Sequence, residues 1–69
     1  MDIIYVTKCT PQDGSDTIQE TIATHRTQDM RRIVRKYARD YDCAVHQGTY
    51  HAILVPHNGA RWRLLIGTC

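Results

Sequence analysis

One segment of the chain has a helical period, and it limits how the rest can be arranged. In Thr27-Gln28-Asp29-Met30-Arg31-Arg32-Ile33-Val34-Arg35-Lys36-Tyr37-Ala38-Arg39 the apolar residues are Met30, Ile33, Val34, Tyr37 and Ala38 (or Tyr41). They recur at i, i+3, i+4, i+7 and i+8, the spacing of one stripe on an α-helix, here over residues 27–41. Thr27 is placed to cap it, because its hydroxyl can accept from an orphan N–H of the first turn. The opposite side holds Arg31, Arg32, Arg35, Lys36 and Arg39. A stripe of this kind needs an apolar surface to lie on, and the flanking segments are the only source.

Those flanks read as strands. Ile3–Cys9 is rich in Ile, Tyr, Val and Thr and predicts a first strand. Thr10–Asp16 reads as a loop, with Pro11 lacking a donor and Asp13-Gly14 signalling a turn. Thr17–Thr24 fits either a strand or a short helix through Ile18 and Ile22. Its threonines favour a second strand, since β-branched side chains are stiff in helices. Ala44–Val55 predicts a long third strand, interrupted at Gly48 by a bulge or bend. Pro56–Ala60 contains Asn58-Gly59, a strong two-residue hairpin signal, and Arg61–Ile66 follows as a fourth strand. Centring the turn on Asn58-Gly59 pairs Val55 with Trp62, Ile53 with Leu64 and His51 with Ile66. The face expected against the helix is then Val45, Ile53, Val55, Trp62, Leu64 and Ile66. Tyr50, Ala52, Leu54, Arg61, Arg63 and Leu65 fall on the other face, with His46 if Gly48 makes no bulge. The expected architecture is α+β, in the order β-β-α-β-β, with one helix packed on a four-stranded antiparallel sheet.

Sixty-nine residues suit one domain, 1–69, with a small core and a stability on the order of 3–5 kcal/mol. No run approaches the roughly 20 apolar residues that span a bilayer, so no membrane role is expected. Met1-Asp2-Ile3-Ile4-Tyr5 reads as the start of a strand rather than as a signal peptide. Cys9, Cys43 and Cys69 are an odd set without framework spacing, which points to free thiols in a reducing cytoplasm.

The formal net charge of +2 hides an asymmetry. Residues 1–25 set Lys8 against Asp2, Asp13, Asp16 and Glu20, a net −3. Residues 26–39 set Arg26, Arg31, Arg32, Arg35, Lys36 and Arg39 against Asp29, a net +5, and residues 40–69 are neutral. The excess sits on the helix. Arg31, Arg35 and Arg39 are like charges four apart, and each such pair typically costs about 0.2–0.5 kcal/mol. Asp40 and Asp42 stand near the C-terminus, where the helix dipole disfavours acid. This charge order does not optimise the helix, so it bears on partners rather than on fold. The candidate binding set is Arg31, Arg32, Arg35, Lys36 and Arg39, extended by Arg61, Arg63 and Tyr50 of the sheet.

Other chemistry is thin. Cys43 and His46 are two residues apart, with His51 and His57 beyond, but no second ligand pair has finger spacing. His46 and His51 would also face opposite ways on a regular strand. No metal and no cofactor are expected. Cys9 and Cys69 have no adjacent activating base, and there is neither a glycine-rich phosphate loop nor a dense carboxylate pair.

Two family resemblances bear on function. The helix, the stretch Gln47-Gly48-Thr49-Tyr50-His51 and the Asn58-Gly59 hairpin together resemble the helix-strand-strand half of HicA-type messenger-RNA interferases over residues 30–66. Those toxins carry a glycine-serine-histidine stretch, and the resemblance implies a catalytic role for His51 with Gly48 as the glycine. One extra residue separates the two here. The toxin's third strand and last helix have no counterpart, and an N-terminal hairpin stands where the toxin has none. The layout as a whole is similar to small phage-encoded inhibitors such as anti-CRISPR proteins, through size and order of elements. That similarity implies a non-enzymatic protein in a bacterial cytoplasm, monomeric or homodimeric, that blocks a host protein or nucleoprotein complex. Many such inhibitors are acidic mimics of DNA; a basic helix would instead grip nucleic acid or an acidic protein surface.

Overall fold

The computed structural model describes residues 3–12 and 14–68, with residues 15 and 16 as backbone only. Met1, Asp2, Asp13 and Cys69 lie outside them. So do the first two residues of the expected strand start, half of the Asp13-Gly14 signal and the expected Cys69 thiol.

The elements are β1 (Ile3–Gln12), β2 (Ser15–Arg26), α1 (Met30–Asp40), β3 (Cys43–Gln47), β4 (His51–Pro56) and β5 (Arg63–Thr68). The strands form one antiparallel sheet in the order β2-β1-β5-β4-β3. The class is α+β with one helix and an antiparallel sheet, but the sheet has five strands rather than the expected four. The β-β-α-β-β order becomes β-β-α-β-β-β. The helix carries the chain from one edge of the sheet to the other, and β5 returns to the centre between β4 and β1.

The extra strand arises at Gly48. The chain reverses there, where a bulge or bend within one strand was expected, and the Gly48 N–H donates to the His51 carbonyl at 2.7 Å. A Cβ at residue 48 would lie 2.9 Å from that same oxygen. Only glycine lets the two backbones close this turn. The second correction is register. Asn58-Gly59 does not form a two-residue turn; residues 57–62 make a longer loop, with Gly59 at φ +81°. Asn58 Oδ1 accepts from Ala60 N–H at 3.0 Å, and Arg63 donates to the carbonyls of Ala60 and Trp62 at 3.0 and 2.9 Å. Pairing is displaced by one residue from expectation: Leu54 stands opposite Leu64, and Ala52 opposite Ile66. Such a slip exchanges the faces of a strand. Ala52, Leu54 and Pro56 therefore point to the helix, while Ile53 and Val55 point away.

The core is one cluster of Ile4, Val6, Ile33, Val34, Tyr37, Cys43, Ala52, Leu54, Leu64 and Ile66. Each Ile, Leu or Val buried there contributes about 1.5–3 kcal/mol from removal of apolar surface. The helical stripe is as expected: Ile33, Val34 and Tyr37 are buried, with Met30 and Ala38 partly covered against the cluster. Tyr41 stands at the C-cap, stacked on Tyr37 and edge-on to Trp62. The cap itself differs from expectation. Asp29 caps α1, accepting from Arg32 N–H at 3.2 Å, while Thr27 Oγ1 accepts from Asp29 N–H. His25 of β2 ties that strand to the helix through Tyr37 Oη at 2.8 Å.

β1 and β2 run further than their sequence signals. Pro11 falls at a register shift between Thr10 and Gln12, where a strand tolerates a residue without an N–H. The expected loop at 10–16 thus shrinks to the turn around Gly14, which has φ +68°. A second shift, between Val6 and Thr7, leaves Ile22 as an extra residue in β2. No helix among the described residues is long and apolar enough to cross a membrane.

Candidate binding surfaces

The apolar stripe of α1 turns its basic residues outward. Arg31, Arg32, Arg35, Lys36 and Arg39 are all exposed. Four of them, Arg32, Arg35, Lys36 and Arg39, line one shallow cleft of about 460 Å³. They occupy i, i+3, i+4 and i+7, neighbours on a helix surface. Arg31 stands outside that cleft, although it shares the expected row with Arg35 and Arg39.

One carboxylate modulates the cluster. Asp40 accepts from Lys36 Nζ at 3.0 Å and lies 3.8 Å from Arg39 Nε. The hydrogen bond and then the charge of Asp40 raise the Lys36 pKa above its ordinary value, so the ammonium stays protonated well past neutrality. Lys36 also lies over the Tyr37 ring, 5.4 Å from its centroid. Arg31, Arg32 and Arg35 have no ion pair with any described carboxylate. Within the cleft, Lys36 and Arg39 thus have an ion-pair partner and Arg32 and Arg35 have none among the described carboxylates.

The remaining members of the expected set lie elsewhere. Arg63 pairs with Cys9 across the sheet, on the face away from α1, and its guanidinium is engaged by the β4–β5 loop. Arg61 is exposed in that loop. Tyr50, at the β3–β4 turn, is 78% exposed. The structure does not bring these three to the helical cluster.

The histidines also move from expectation. The reversal at Gly48 puts His46 and His51 on the same face, since His46 pairs with Ile53 and His51 with Gly67. Cys43 faces the opposite way, buried under the helix. Burial, with the charge of Asp42, pushes the Cys43 thiol up, and its Sγ donates to the Tyr41 carbonyl. It is a core residue, not a nucleophile. No group of three or more His, Cys, Asp or Glu among the described residues could hold a metal.

The open sheet face holds a feature that sequence reading missed. Tyr5, Gly67 and His51 form one row across β1, β5 and β4. The row borders a depression of about 470 Å³, also lined by Thr7, Tyr50 and Leu65. The pairing of β1 with β5 joins segments about sixty residues apart, and no local signal marks it. No protein-family model matches this chain, and neither a curated protein nor a solved structure matches it.

Proposed function

We propose that the chain is a small non-enzymatic binding protein that grips a polyanion through the outer side of α1. One observation carries this reading. Arg32, Arg35, Lys36 and Arg39 converge on one cleft, and Asp40 is the one described carboxylate in ion-pair reach of any of them. Guanidinium forks suit phosphate and carboxylate, and stay charged at any physiological pH. In its biological form this is an inhibitor carried by a phage or mobile element, anti-CRISPR-like. It docks in a bacterial cytoplasm on a host nucleoprotein complex or on the nucleic acid itself. A stand-alone nucleic-acid-binding module would use the same side. The non-enzymatic part rests on His51, the residue a HicA-like ribonuclease would use. Among the described carboxylates, Glu20 faces the helix side and Asp29, Asp40 and Asp42 flank α1, so none shares the face of His51 to orient it as a base.

The test is binding to duplex DNA at several salt concentrations. Four phosphate contacts give a slope of log affinity on log salt of about −3 to −4. Arg32→Glu, Arg35→Glu and Arg39→Glu together abolish binding while the melting temperature holds, because these side chains lie off the core. A folded triple variant that keeps wild-type affinity would overturn the reading. RNA cleaved by the wild type and spared by His51→Ala would replace it with the ribonuclease one.

A further inference from the structure

We infer that the open face of the sheet is a stacking platform for unpaired bases of single-stranded RNA, centred on a notch at Gly67. The site is on the far side of the sheet from α1 and stands or falls independently of the helical cluster.

The notch follows from two glycines flanking one histidine. Gly48, His51, Gly67 and Tyr5 succeed one another across the sheet. The ring of His51 leans over Gly48: its Cε1 and Nε2 lie 3.2 and 3.3 Å from where a Cβ on residue 48 would be. At Gly67 the nearest side-chain atom is His51 Cβ, 3.3 Å from the Cβ position, so the ring is directed away. A glycine floor thus lies between Tyr5 and His51 in the row, on the depression that all three line. Glycine inside a strand removes packing and often marks close approach of a ligand. Tyr5 and His51 are two strand spacings apart, roughly 10 Å, with Tyr50 beyond at the turn. That span suits two or three successive bases splayed over a sheet.

Charge selects the occupant. No described carboxylate lies on this face, whereas Arg26, Arg63, His46 and His51 do. A face with rings, cations and no described acid is complementary to bases joined by phosphates. It is poorly suited to a second copy of itself, which would set arginine against arginine and offers mainly Ile53 and Leu65, at 37% and 36% exposure, as exposed apolar contacts at its centre. Thr7, opposite Leu65 on this face, lines the depression. Its hydroxyl can donate to and accept from a 2′-hydroxyl, which commits the occupant to RNA.

The experiment is fluorescence anisotropy with a short single-stranded RNA, the DNA of the same sequence and an RNA duplex. Single-stranded RNA binds tighter than either of the other two. Tyr50→Ala weakens it by roughly 5- to 150-fold, the loss expected for one stacked base, and leaves duplex DNA binding unchanged. Gly67→Ala, which fills the notch, weakens it as well; should that variant unfold, Tyr50→Ala still decides, since Tyr50 packs on nothing in the core. The charge-reversed helix variant keeps its sensitivity to Tyr50→Ala. Single-stranded RNA bound no tighter than duplex, or bound equally by Tyr50→Ala, would overturn the platform and leave the helical reading standing. Equal affinity for single-stranded DNA would overturn the assignment to RNA. A dimer in solution that Leu65→Glu dissociates would show that the face meets a second copy instead.

Discussion

Leu54 and Ile53 are neighbours on β4 and alike in size and polarity, yet Leu54 is fully buried and Ile53 keeps 37% of its surface exposed. The same contrast runs through β5, where Leu64 and Ile66 are sealed and Leu65, between them, is open at 36%. One helix covers one face of the sheet, and no described element covers the other. Apolar residues on both sides of a strand mean that hydrophobicity alone does not decide which side is the core. Here the covering helix and the loop geometry decide it. The two outer sides of the molecule then differ in chemistry. The helix side carries long flexible cations and the carboxylates of Asp29 and Asp40, and the sheet side carries rings, hydroxyls and no described acid.

The largest effect should come from exchanging the two faces at one strand. Leu54→Ala removes a fully buried side chain and should cost roughly 2–5 kcal/mol, much of the stability of so small a domain. Ile53→Ala, one residue away, should cost about 1 kcal/mol or less, as a partly exposed position. Urea denaturation midpoints of the two variants check this. Equal losses would mean that the open face is covered in solution.

Those two residues also explain what could be read from the sequence. The helix was legible because Ile33, Val34 and Tyr37 share a period that no strand produces, and its outward cations followed from the same period. The β1–β2 and β4–β5 hairpins were legible from turn residues and β-branched runs, and the β3–β4 hairpin was not. The register was not, because Ala52-Ile53-Leu54-Val55 is apolar at every position and reads equally well shifted by one. Gly48 was visible as an interruption, but bulge and reversal share that signal. Only the backbone approach of His51 distinguishes them. The helical cluster was therefore readable, apart from the place of Arg31, whereas the row Tyr5–Gly67–His51 depends on a pairing between chain ends that leaves no local trace.

A smaller effect separates the two described cysteines, one on each face. Cys43 is buried under the helix, and Cys9 is half-buried on the open face opposite Arg63. Because burial raises the folded Cys43 pKa above its ordinary value of 9.0, the folded state holds this proton more tightly than the unfolded chain. Its contribution to stability is full below that ordinary value and is lost as pH rises through the higher folded one. Stability should fall as pH is raised past that ordinary value, and Cys43→Ala should flatten the decline. A thiol reagent at neutral pH should modify Cys9 before Cys43. Simultaneous modification would mean that the covered face opens as readily as the open one.

The smallest effect concerns the acid that sets the two outer sides apart. Asp40 holds Lys36 at 3.0 Å and stands 3.8 Å from Arg39, so it competes with an incoming anion for two of the four cations that line the cleft. Asp40→Asn keeps the shape and removes the charge. Lys36 and Arg39 then turn their full charge to the ligand, and duplex DNA affinity should rise about two- to five-fold, the scale of one unit charge at a few ångströms in water. The salt slope should steepen by about one, because one more phosphate contact becomes uncompensated. The fold should hold, since an exposed pair is lost while an acid disfavoured by the helix dipole is removed with it. Single-stranded RNA on the sheet face should bind as before. A rise in both affinities would show that one polyanion spans both sides of the molecule, and no rise in either would show that Asp40 lies outside the contact.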